Sequence, residues 1–162
     1  MIKSKFVINY DSCSLDELTD EERLLVERAR EATRNSFAPY SNFHVGAALM
    51  LKNGKVIIGA NQENSAFPSG LCAERTAVFT AQANFPEQPI MMLAIAAADA
   101  NGLRSKPVSP CGACRQVILQ MESRYKQPVE ILLSGTKNIL RFNSIKDLIP
   151  FSFVDEDLLP EK

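Results

Sequence analysis

The sequence predicts an α/β domain in which helices cover a mixed β-sheet. Two continuous apolar segments, residues 90–98 and 129–134, have the composition of strands that are buried on both faces. Segments with helical patterns precede and separate them, and an Asn-Gly dipeptide joins two β-rich segments as in a β-hairpin. Helices that alternate with strands in this way are typical of layered α/β proteins.

The size and composition of the chain agree with that class. Its 162 residues suffice for one domain with its own core, and 46% of them are hydrophobic and 23% charged. No internal repeat, low-complexity tract or linker divides the sequence. We therefore expect one domain over residues 1–162, with an N-terminal arm at 1–18 and a core at about 19–158.

The charge and hydropathy patterns disfavour two classes of partner. The formal net charge is -1, whereas proteins that hold a nucleic-acid backbone usually carry a basic surplus. No apolar segment reaches the ~18 residues of a membrane span, and the first residues lack the features of a signal peptide. The sequence thus predicts a cytoplasmic protein that binds neither nucleic acid nor membrane, in a compartment where thiols stay reduced.

The first third of the chain predicts an arm followed by a helix. Residues 1–18 show no clear period and predict an extended arm or an edge strand. Residues 19–37 predict a helix, because Thr19 and Glu22 have the spacing of a capping box. Leu24, Leu25, Arg28 and Ala32 form one largely apolar stripe at helical spacing, and we expect this stripe to face the core.

The middle of the chain predicts a hairpin and a second helix. Residues 43–64 contain two β-rich segments that flank Asn53 and Gly54, the dipeptide that best fits a two-residue type I′ turn. Residues 72–83 then follow a helical pattern. This helix leads into the first buried strand, residues 90–98.

The last third predicts one further helix and the remaining strands. Residues 111–123 have a helical pattern and precede the second buried strand, residues 129–134. Residues 138–143 predict a weaker edge strand, and residues 144–151 predict a short capped helix that a proline ends.

Three cysteines lie at the predicted starts of two helices. Cys111 and Cys114 are one helical turn apart, and Cys72 begins the preceding helix. The free N–H groups and the dipole of a helix start favour thiolate over thiol. If the two helices pack side by side, three sulfurs converge and leave one position of a tetrahedral zinc site open, as catalytic zinc sites do. We expect His44 to be structural and Cys13 to be an inert thiol.

Other interpretations of these cysteines stay open from the residues alone. A lone Cys-x-x-Cys also fits a redox dithiol, although the thioredoxin-type motif usually follows the first strand and this one comes late. Cys72 by itself could be a small buried side chain. A fourth protein ligand would instead make a closed structural zinc site in a module without catalytic activity.

A glutamate next to the first cysteine adds a chemical group to the predicted metal site. Glu74 lies two residues after Cys72, so its carboxylate can point toward the predicted metal site without binding the metal. An acidic side chain is also favoured in a first helical turn for its interaction with the dipole. Beside metal-activated water, however, a carboxylate can take up, carry and deliver a proton.

These segments resemble a known enzyme family. Cys-Ala-Glu at residues 72–74 followed by Pro-Cys-x-x-Cys at residues 110–114 resembles the signature of the zinc nucleoside and nucleobase deaminases. The segments YSNFHVGAAL, NQEN, CAERTA, SPCGACRQV and LIPFSF are similar to those of the small cytidine deaminases, over about residues 20–158. The resemblance implies a three-layer α/β/α fold with a mixed five-stranded sheet.

The resemblance also implies a reaction and a cofactor. Cys72, Cys111 and Cys114 would hold one Zn²⁺ per chain, and Glu74 would be the general acid and base. The enzyme would convert cytidine and 2′-deoxycytidine to uridine and 2′-deoxyuridine plus ammonia, a step of pyrimidine salvage. It would be a homotetramer with shared active sites.

Several substrate contacts are implied in the same way. Phe43 would pack against the base, and Asn61 and Glu63 would bind the ribose 3′-hydroxyl. The carbonyl of Ser109 and the N–H of Ala73 would orient the amino group and the pyrimidine O2. All five positions match segments that carry the resemblance.

Four further residues bear on the implied site. Phe153 would close the pocket of a neighbouring subunit. Arg75 and Arg115 follow metal ligands in the sequence and could withdraw charge from the sulfurs by hydrogen bonding. Phe67 departs from the family pattern, because similar proteins often have tyrosine there.

Three alternative functions remain to be compared with a deaminase of free cytidine. These are a deaminase of another small molecule, such as blasticidin S, a deaminase that edits polynucleotides, and a zinc module without enzymatic activity. The acidic charge balance argues against the second, and the count of three cysteines argues against the third.

Overall fold

A computed structural model of the protein describes residues 1–160. Its strands form one mixed sheet in the order β1-β7-β6-β4-β2-β3, and β5 pairs with β4. The strands are β1 (Asp11–Cys13), β2 (His44–Leu51), β3 (Val56–Ala60), β4 (Ile90–Asp99), β5 (Gly102–Leu103), β6 (Glu130–Ser134) and β7 (Ile139–Phe142). Among these strands of residues 1–160, β4 and β6 pair in parallel and the other pairs are antiparallel.

The predicted α/β class with a mixed sheet is confirmed, with two additional strands. The count of five, which the resemblance implied, leaves out β1 and β5, of three and two residues. β1 nevertheless lies in the segment predicted as an extended arm or an edge strand. Strands this short carry too little pattern to be recognised in a sequence. The five longer strands are those that the sequence predicted.

Three helices cover the two faces of the sheet. They are α1 (Asp20–Ala32), α2 (Ala73–Asn84) and α3 (Gly112–Tyr125). Side chains of α1 pack with Ala48, Ala94 and Leu132 on one face. Side chains of α2 and α3 pack with Leu49, Ile95 and other residues of the opposite face. The sheet is therefore the middle layer of three, and α2 and α3 lie on the same side of it.

The start of α1 agrees with the prediction, and its buried face agrees in part. Thr19 and Glu22 form the expected capping box, in which the Thr19 N–H donates to the Glu22 carboxylate at 2.7 Å. Leu25 and Ala32 of the predicted stripe are buried, but Leu24 is 40% exposed and Arg28 is exposed, so those two members are wrong. The buried residues are Glu22, Leu25, Val26, Ala29 and Ala32. Positions 25, 29 and 32 follow the helical period, whereas Leu24 points to a neighbouring face.

The hairpin of β2 and β3 is confirmed, with a different turn. A type I′ turn needs positive φ at both central residues, but φ is positive only at Gly54, where it is 80°. The Leu51 N–H donates to the Lys55 carbonyl at 2.9 Å, and the Gly54 N–H donates to the Leu51 carbonyl at 2.8 Å. The loop thus has three residues and ends on a left-handed glycine, so the two-residue turn is wrong.

The N-terminal arm contributes the edge of the sheet. Because β1 pairs with β7, the strand predicted as an edge at residues 138–143 is an internal one. Arg141 on β7 donates to Asp11 at 2.9 Å and to Glu22 at 3.0 Å, and thereby joins the arm, the sheet and α1. The short helix predicted at the C-terminal side is a 3-10 helix, Ile145–Leu148, capped by Ser144.

The length and apolar character of the helices determine whether any of them could span a membrane. Within residues 1–160, no helix is long and apolar enough to cross a bilayer.

The carboxyl groups of Glu22 and Glu130 lie close together beside Arg141. Burial and the negative charge of Glu22 raise the pKa of Glu130 on β6 to about 7, although Arg141 acts in the opposite direction. One carboxylate oxygen of Glu130 is buried and has no hydrogen-bond partner within residues 1–160. Folding therefore makes it harder for Glu130 to ionise.

We expect Glu130→Gln to stabilise the protein above pH 7 and to have no effect near pH 4. The raised pKa means that the folded state binds more protons than the unfolded state between the ordinary pKa of glutamate and about 7. Stability is therefore lost as the pH rises through that window, and the substitution removes this loss. The expected gain at pH 8 is about 1 kcal/mol, or ~2–4 °C in Tm.

The measurement is thermal unfolding of both proteins from pH 4 to pH 8. Glu87→Gln, in an exposed loop, is the matched control and should leave the pH dependence unchanged. A constant difference between Glu130→Gln and the native protein at all pH values would contradict the assignment.

Candidate metal centre and active site

The N-terminal ends of α2 and α3 bring three cysteines together. Cys72 is the N-cap of α2, Cys111 is the N-cap of α3, and Cys114 lies in the first turn of α3. Both helices cover the same face of the sheet, which is the condition under which the three sulfurs were expected to converge. The N–H groups of a first helical turn have no partner within the helix, so both helix starts favour negative charge on these sulfurs.

The distances between the sulfurs fit a tetrahedral zinc ion. The Sγ atoms of Cys72 and Cys111 are 3.7 Å apart, and those of Cys111 and Cys114 are 3.5 Å apart. Tetrahedral coordination with Zn–S bonds of ~2.3 Å requires sulfurs that are about 3.8 Å apart. All three atoms lie within 4.8 Å of one another, and the group contains no fourth residue within the described part of the chain.

The single histidine of the chain and its fourth cysteine form hydrogen bonds outside this group of sulfurs. His44 shares a hydrogen bond of 2.6 Å between its Nδ1 and the Ser36 hydroxyl, and Cys13 donates to the Ile139 carbonyl at 3.7 Å. Neither belongs to the group of sulfurs. The arrangement therefore offers three protein ligands and leaves a fourth position for a small molecule, which is the pattern of a catalytic zinc site.

The thiols of the group interact strongly with one another and with Arg75. Hydrogen bonds from Cys114 and Arg75 lower the pKa of Cys72 to about 5. The bond to Cys72 and burial raise the pKa of Cys114. A divalent cation among the three sulfurs would replace the protons of all of them, because thiolate is the form that binds metal.

Glu74 lies beside the sulfurs in the same pocket and is 4% exposed. Burial raises the pKa of its carboxyl, and the negative charge of Cys72 adds to this effect. The sequence predicted this position from the offset of two residues along α2. Buried next to an open metal position, the side chain has the surroundings of a group that holds and transfers a proton.

The two arginines that follow the ligands make different contacts. Arg75 donates to the Cys72 sulfur at 3.5 Å, so it lies where it can offset the charge of the thiolates. Arg115 was expected to do the same, but its donors point to the carbonyls of Pro110 and Leu148. It therefore fixes the backbone just before Cys111 and ties it to the C-terminal segment.

Cys72, Cys111 and Glu74 line a pocket of about 420 Å³, a size that suits a small ligand, and the buried Cys114 lies behind them. Its lining includes four of the predicted substrate-binding residues: Phe43, Asn61, Glu63 and Ser109. The sequence did not identify Val45, Ile95 and Val108 as further walls. The complete lining is Ser41, Phe43, Val45, Asn61, Gln62, Glu63, Phe67, Gly70, Leu71, Cys72, Glu74, Ile95, Val108, Ser109 and Cys111.

The polar side chains of the pocket are held by backbone groups. The Asn61 side chain accepts from the Val45 N–H at 2.7 Å and donates to the Phe43 carbonyl at 2.9 Å. One oxygen of Glu63 accepts from the Tyr40 and Ser41 N–H groups, at 2.8 Å and 3.3 Å. Hydrogen bonds from Ser41 and Tyr40 also lower the pKa of Glu63, so this carboxylate is ionised and oriented.

The two other predicted contacts lie outside this lining. Ala73 is the first residue of α2 and is buried, so its N–H is one of those without a partner inside the helix. Phe153 lies in the C-terminal segment, 58% exposed, and its carbonyl accepts from Gln116 at 2.9 Å. It does not line the pocket of its own chain.

Comparisons with known proteins agree with this geometry. The family described as "Cytidine and deoxycytidylate deaminase zinc-binding region" matches residues 19–127. The cytidine deaminase of Sporosarcina psychrophila is 39% identical over 86% of this chain and 95% of its own length. That of Halalkalibacterium halodurans is 34% identical over 85% of this chain and 98% of its own. The crystal structure of cytidine deaminase from Burkholderia pseudomallei superimposes with a TM-score of 0.70 at 38% identity, over 84% of this chain and 100% of that one.

We expect Cys114→Ser to abolish zinc binding. Cys114 is buried and its sulfur lies 3.5 Å from that of Cys111, whereas a serine hydroxyl stays protonated and is a poor ligand for zinc. Elemental analysis of the purified protein should show about one zinc per chain in the native protein and almost none in the variant. Cys13→Ser is the matched control and should keep its zinc. Full zinc content in Cys114→Ser would contradict the assignment of the site.

Proposed function

The chain belongs to the cytidine and deoxycytidylate deaminase family, and we propose that it hydrolyses cytidine and 2′-deoxycytidine to the corresponding uridines and ammonia. The observation that carries this proposal is a group of three cysteine sulfurs, two of which line one pocket together with the buried carboxylate of Glu74. Three sulfurs leave a coordination position open, and Glu74 lies beside it.

The chain provides a group for each proton that the reaction moves. Zinc held by Cys72, Cys111 and Cys114 would supply Lewis-acid activation of water. Glu74 accepts a proton from the attacking water and delivers it to N3 of the cytosine ring as the new C4–O bond forms. It then takes the proton of the resulting 4-hydroxyl and passes it to the amino group, so the C4–N bond breaks, C4 becomes a carbonyl and ammonia is released. The buried setting of Glu74 supports this role, because a carboxyl that is costly to ionise returns a proton readily.

The walls of the pocket are suited to hold a pyrimidine nucleoside. Phe43 and the apolar residues near it offer a face for the base, and the Ser109 carbonyl can accept a hydrogen bond from the 4-amino group. The Ala73 N–H donates to O2 of the ring. The second oxygen of Glu63 and the second N–H of Asn61 bind the ribose 3′-hydroxyl, which ribose and deoxyribose share.

The charges of the pocket favour a free nucleoside over a nucleotide or a polynucleotide. Its lining contains two carboxylates, Glu63 and Glu74, and no lysine or arginine among the described residues. A phosphate group would meet negative charge there without a compensating cation. A zinc module without activity is disfavoured because the site has three protein ligands, not four.

We also propose that the pocket is completed by a second copy of the chain, in a homotetramer as the family resemblance implies. Phe153 is exposed on its own chain and would cover a neighbour's pocket. Phe67 in the pocket lining is 73% exposed. Tyr40, whose ring meets that of Phe67 edge-on, is 53% exposed, and Phe37, whose backbone bonds to Asn61 and Glu63, is 56% exposed. Apolar groups concentrated at an open pocket support an interface there.

The setting of the reaction is proposed on chemical grounds. All four cysteines are free thiols, and a site of three thiolates keeps its metal only where they stay reduced. We therefore assign the enzyme to the cytoplasm. Its reaction would convert cytidine and deoxycytidine to uridine and deoxyuridine, which is a step of pyrimidine salvage.

We expect Glu74→Gln to lose at least about 10³-fold in kcat with full zinc content. Glutamine has nearly the same shape, so the sulfurs remain in place, but it cannot carry a proton. The loss of cytidine absorbance on conversion to uridine measures the rate, and elemental analysis measures the zinc. A variant with more than a tenth of native kcat would remove the proposed role.

The same assay identifies the substrate class. Cytidine and 2′-deoxycytidine should both release ammonia, whereas CMP, blasticidin S and a cytosine-containing single-stranded oligonucleotide should react poorly or not at all. Glu74→Gln is the background control in each arm. Absence of turnover with both nucleosides, or preferred turnover of the oligonucleotide, would contradict the proposed function.

We expect two defective variants to restore activity when they are co-expressed. Phe153→Ala should raise the KM for cytidine about tenfold, because the pocket loses a cover from its neighbour. In assemblies that mix the two variants, the Glu74→Gln subunits carry an intact Phe153, and the Phe153→Ala subunits carry an intact Glu74. A pocket of the second kind of subunit can therefore receive Phe153 from a neighbour of the first kind. Activity at low cytidine should recover to about one quarter of native, since half of the pockets keep Glu74 and half of those receive Phe153.

A mixture that is no more active than the sum of its two variants would contradict the shared pocket. Co-expression of Glu74→Gln with itself is the control. Size-exclusion chromatography with light scattering shows whether the variants assemble like the native protein.

A further inference from the structure

The segment that leads into the metal site has no regular secondary structure of its own. Residues 104–110 follow β5 and end at Cys111, and they carry the pocket residues Val108 and Ser109. A loop of this kind depends on neighbouring elements for its position. Its position must therefore be fixed by another part of the fold.

The turn between β6 and β7 holds this loop through two backbone hydrogen bonds. The Thr136 N–H donates to the Arg104 carbonyl at 3.0 Å, and the Lys137 N–H donates to the Ser105 carbonyl at 3.2 Å. The turn is itself closed by the Gly135 N–H, which donates to the Asn138 carbonyl at 3.0 Å. Loop and turn therefore form one unit, although about thirty residues separate them in the sequence.

Gly135 is the point of closest approach within this unit. A Cβ atom there would lie 2.5 Å from the Ser105 carbonyl oxygen and 2.8 Å from the Pro107 nitrogen. Both are backbone atoms, so a side chain could not be accommodated unless the loop moved. Gly135 is not among the glycines of residues 1–160 that have positive φ, which are Gly54 and Gly102, so the requirement at Gly135 is one of space and not of backbone conformation.

Arg30 holds the turn from the other side. It lies in the last turn of α1, and its Nε donates to the Ser134 hydroxyl at 2.9 Å while its Nη2 donates to the Gly135 carbonyl at 2.8 Å. Ser134 is 3% exposed, so these bonds are shielded from water. Gly135 is thus fixed between the side chain of Arg30 and the backbone of residues 105–107.

We propose that Gly135, held by Arg30, is a positioning residue that sets the place of the Ser109 carbonyl in the pocket. This inference rests on the proposed function, in which that carbonyl accepts from the 4-amino group of cytidine. Ser109 lies only two residues beyond Pro107, so a displacement at residues 105–107 reaches it directly. Cys111 is less affected, because it is the N-cap of α3 and Arg115 holds the preceding carbonyl.

The test compares Gly135→Ala with Thr136→Ala. Thr136 is an exposed residue of the same turn, and its contribution to the loop is a backbone N–H that alanine keeps. For Gly135→Ala we expect the KM for cytidine to rise about tenfold, with kcat changed less and with zinc content unchanged. Inhibition by uridine, which has no 4-amino group, should change less than about twofold. Thr136→Ala should behave as the native protein.

Two results would overturn the proposal. One is kinetics of Gly135→Ala that match those of Thr136→Ala. The other is an equal loss of cytidine and uridine affinity together with a loss of zinc, which would indicate general damage. If Gly135→Ala does not fold, Arg30→Lys decides. Lysine keeps the positive charge but cannot form both hydrogen bonds, to the Ser134 hydroxyl and to the Gly135 carbonyl. The cytidine KM should therefore rise about threefold with uridine inhibition unchanged. An unchanged KM would overturn the proposal.

Amide hydrogen exchange separates this inference from the proposed function. If the native protein does not deaminate cytidine, the proposed function fails, and the exchange of residues 104–110 still reports on the loop. Faster exchange in Gly135→Ala than in Thr136→Ala supports the positioning role. Equal exchange in the two variants contradicts it.

Discussion

Three sulfur atoms must meet at the starts of two helices, and most of the structure around the pocket follows from that constraint. Cys72 and Cys111 are the N-caps of α2 and α3, so the two helices have to pack side by side on one face of the sheet. Their free N–H groups then favour the thiolate form that a metal needs. The same arrangement brings Glu74, in the first turn of α2, into the pocket that Cys72 and Cys111 line.

The rest of the site depends on backbone contacts that fix irregular segments. Asn61 joins the Phe43 carbonyl to the Val45 N–H, and Arg115 joins the carbonyls of Pro110 and Leu148. Side chains that satisfy buried backbone groups hold loops in one conformation, which a pocket for a small polar ligand requires. The shape of the pocket therefore depends on side chains that hold its backbone, both inside the pocket, as Asn61 does, and outside it, as Arg115 does.

The sequence reveals local features well and distant contacts poorly. The capping box at Thr19, the buried strands and the helical positions of the cysteines depend on nearby residues, and they could be predicted. The buried face of α1 could not, because Leu24 and Leu25 are equally apolar and only packing against the sheet selects Leu25. The contact of Gly135 with residues 105–107 joins segments far apart in the sequence and leaves no local pattern.

The central claim is that zinc is held by three cysteines with one position open to a small molecule. X-ray absorption at the zinc edge of the native protein tests it most directly. It should give three sulfur neighbours at ~2.3 Å and one oxygen neighbour at about 2.0 Å. A shell of four sulfurs, or an imidazole neighbour that would assign His44 to the metal, would contradict the claim and with it the deaminase mechanism.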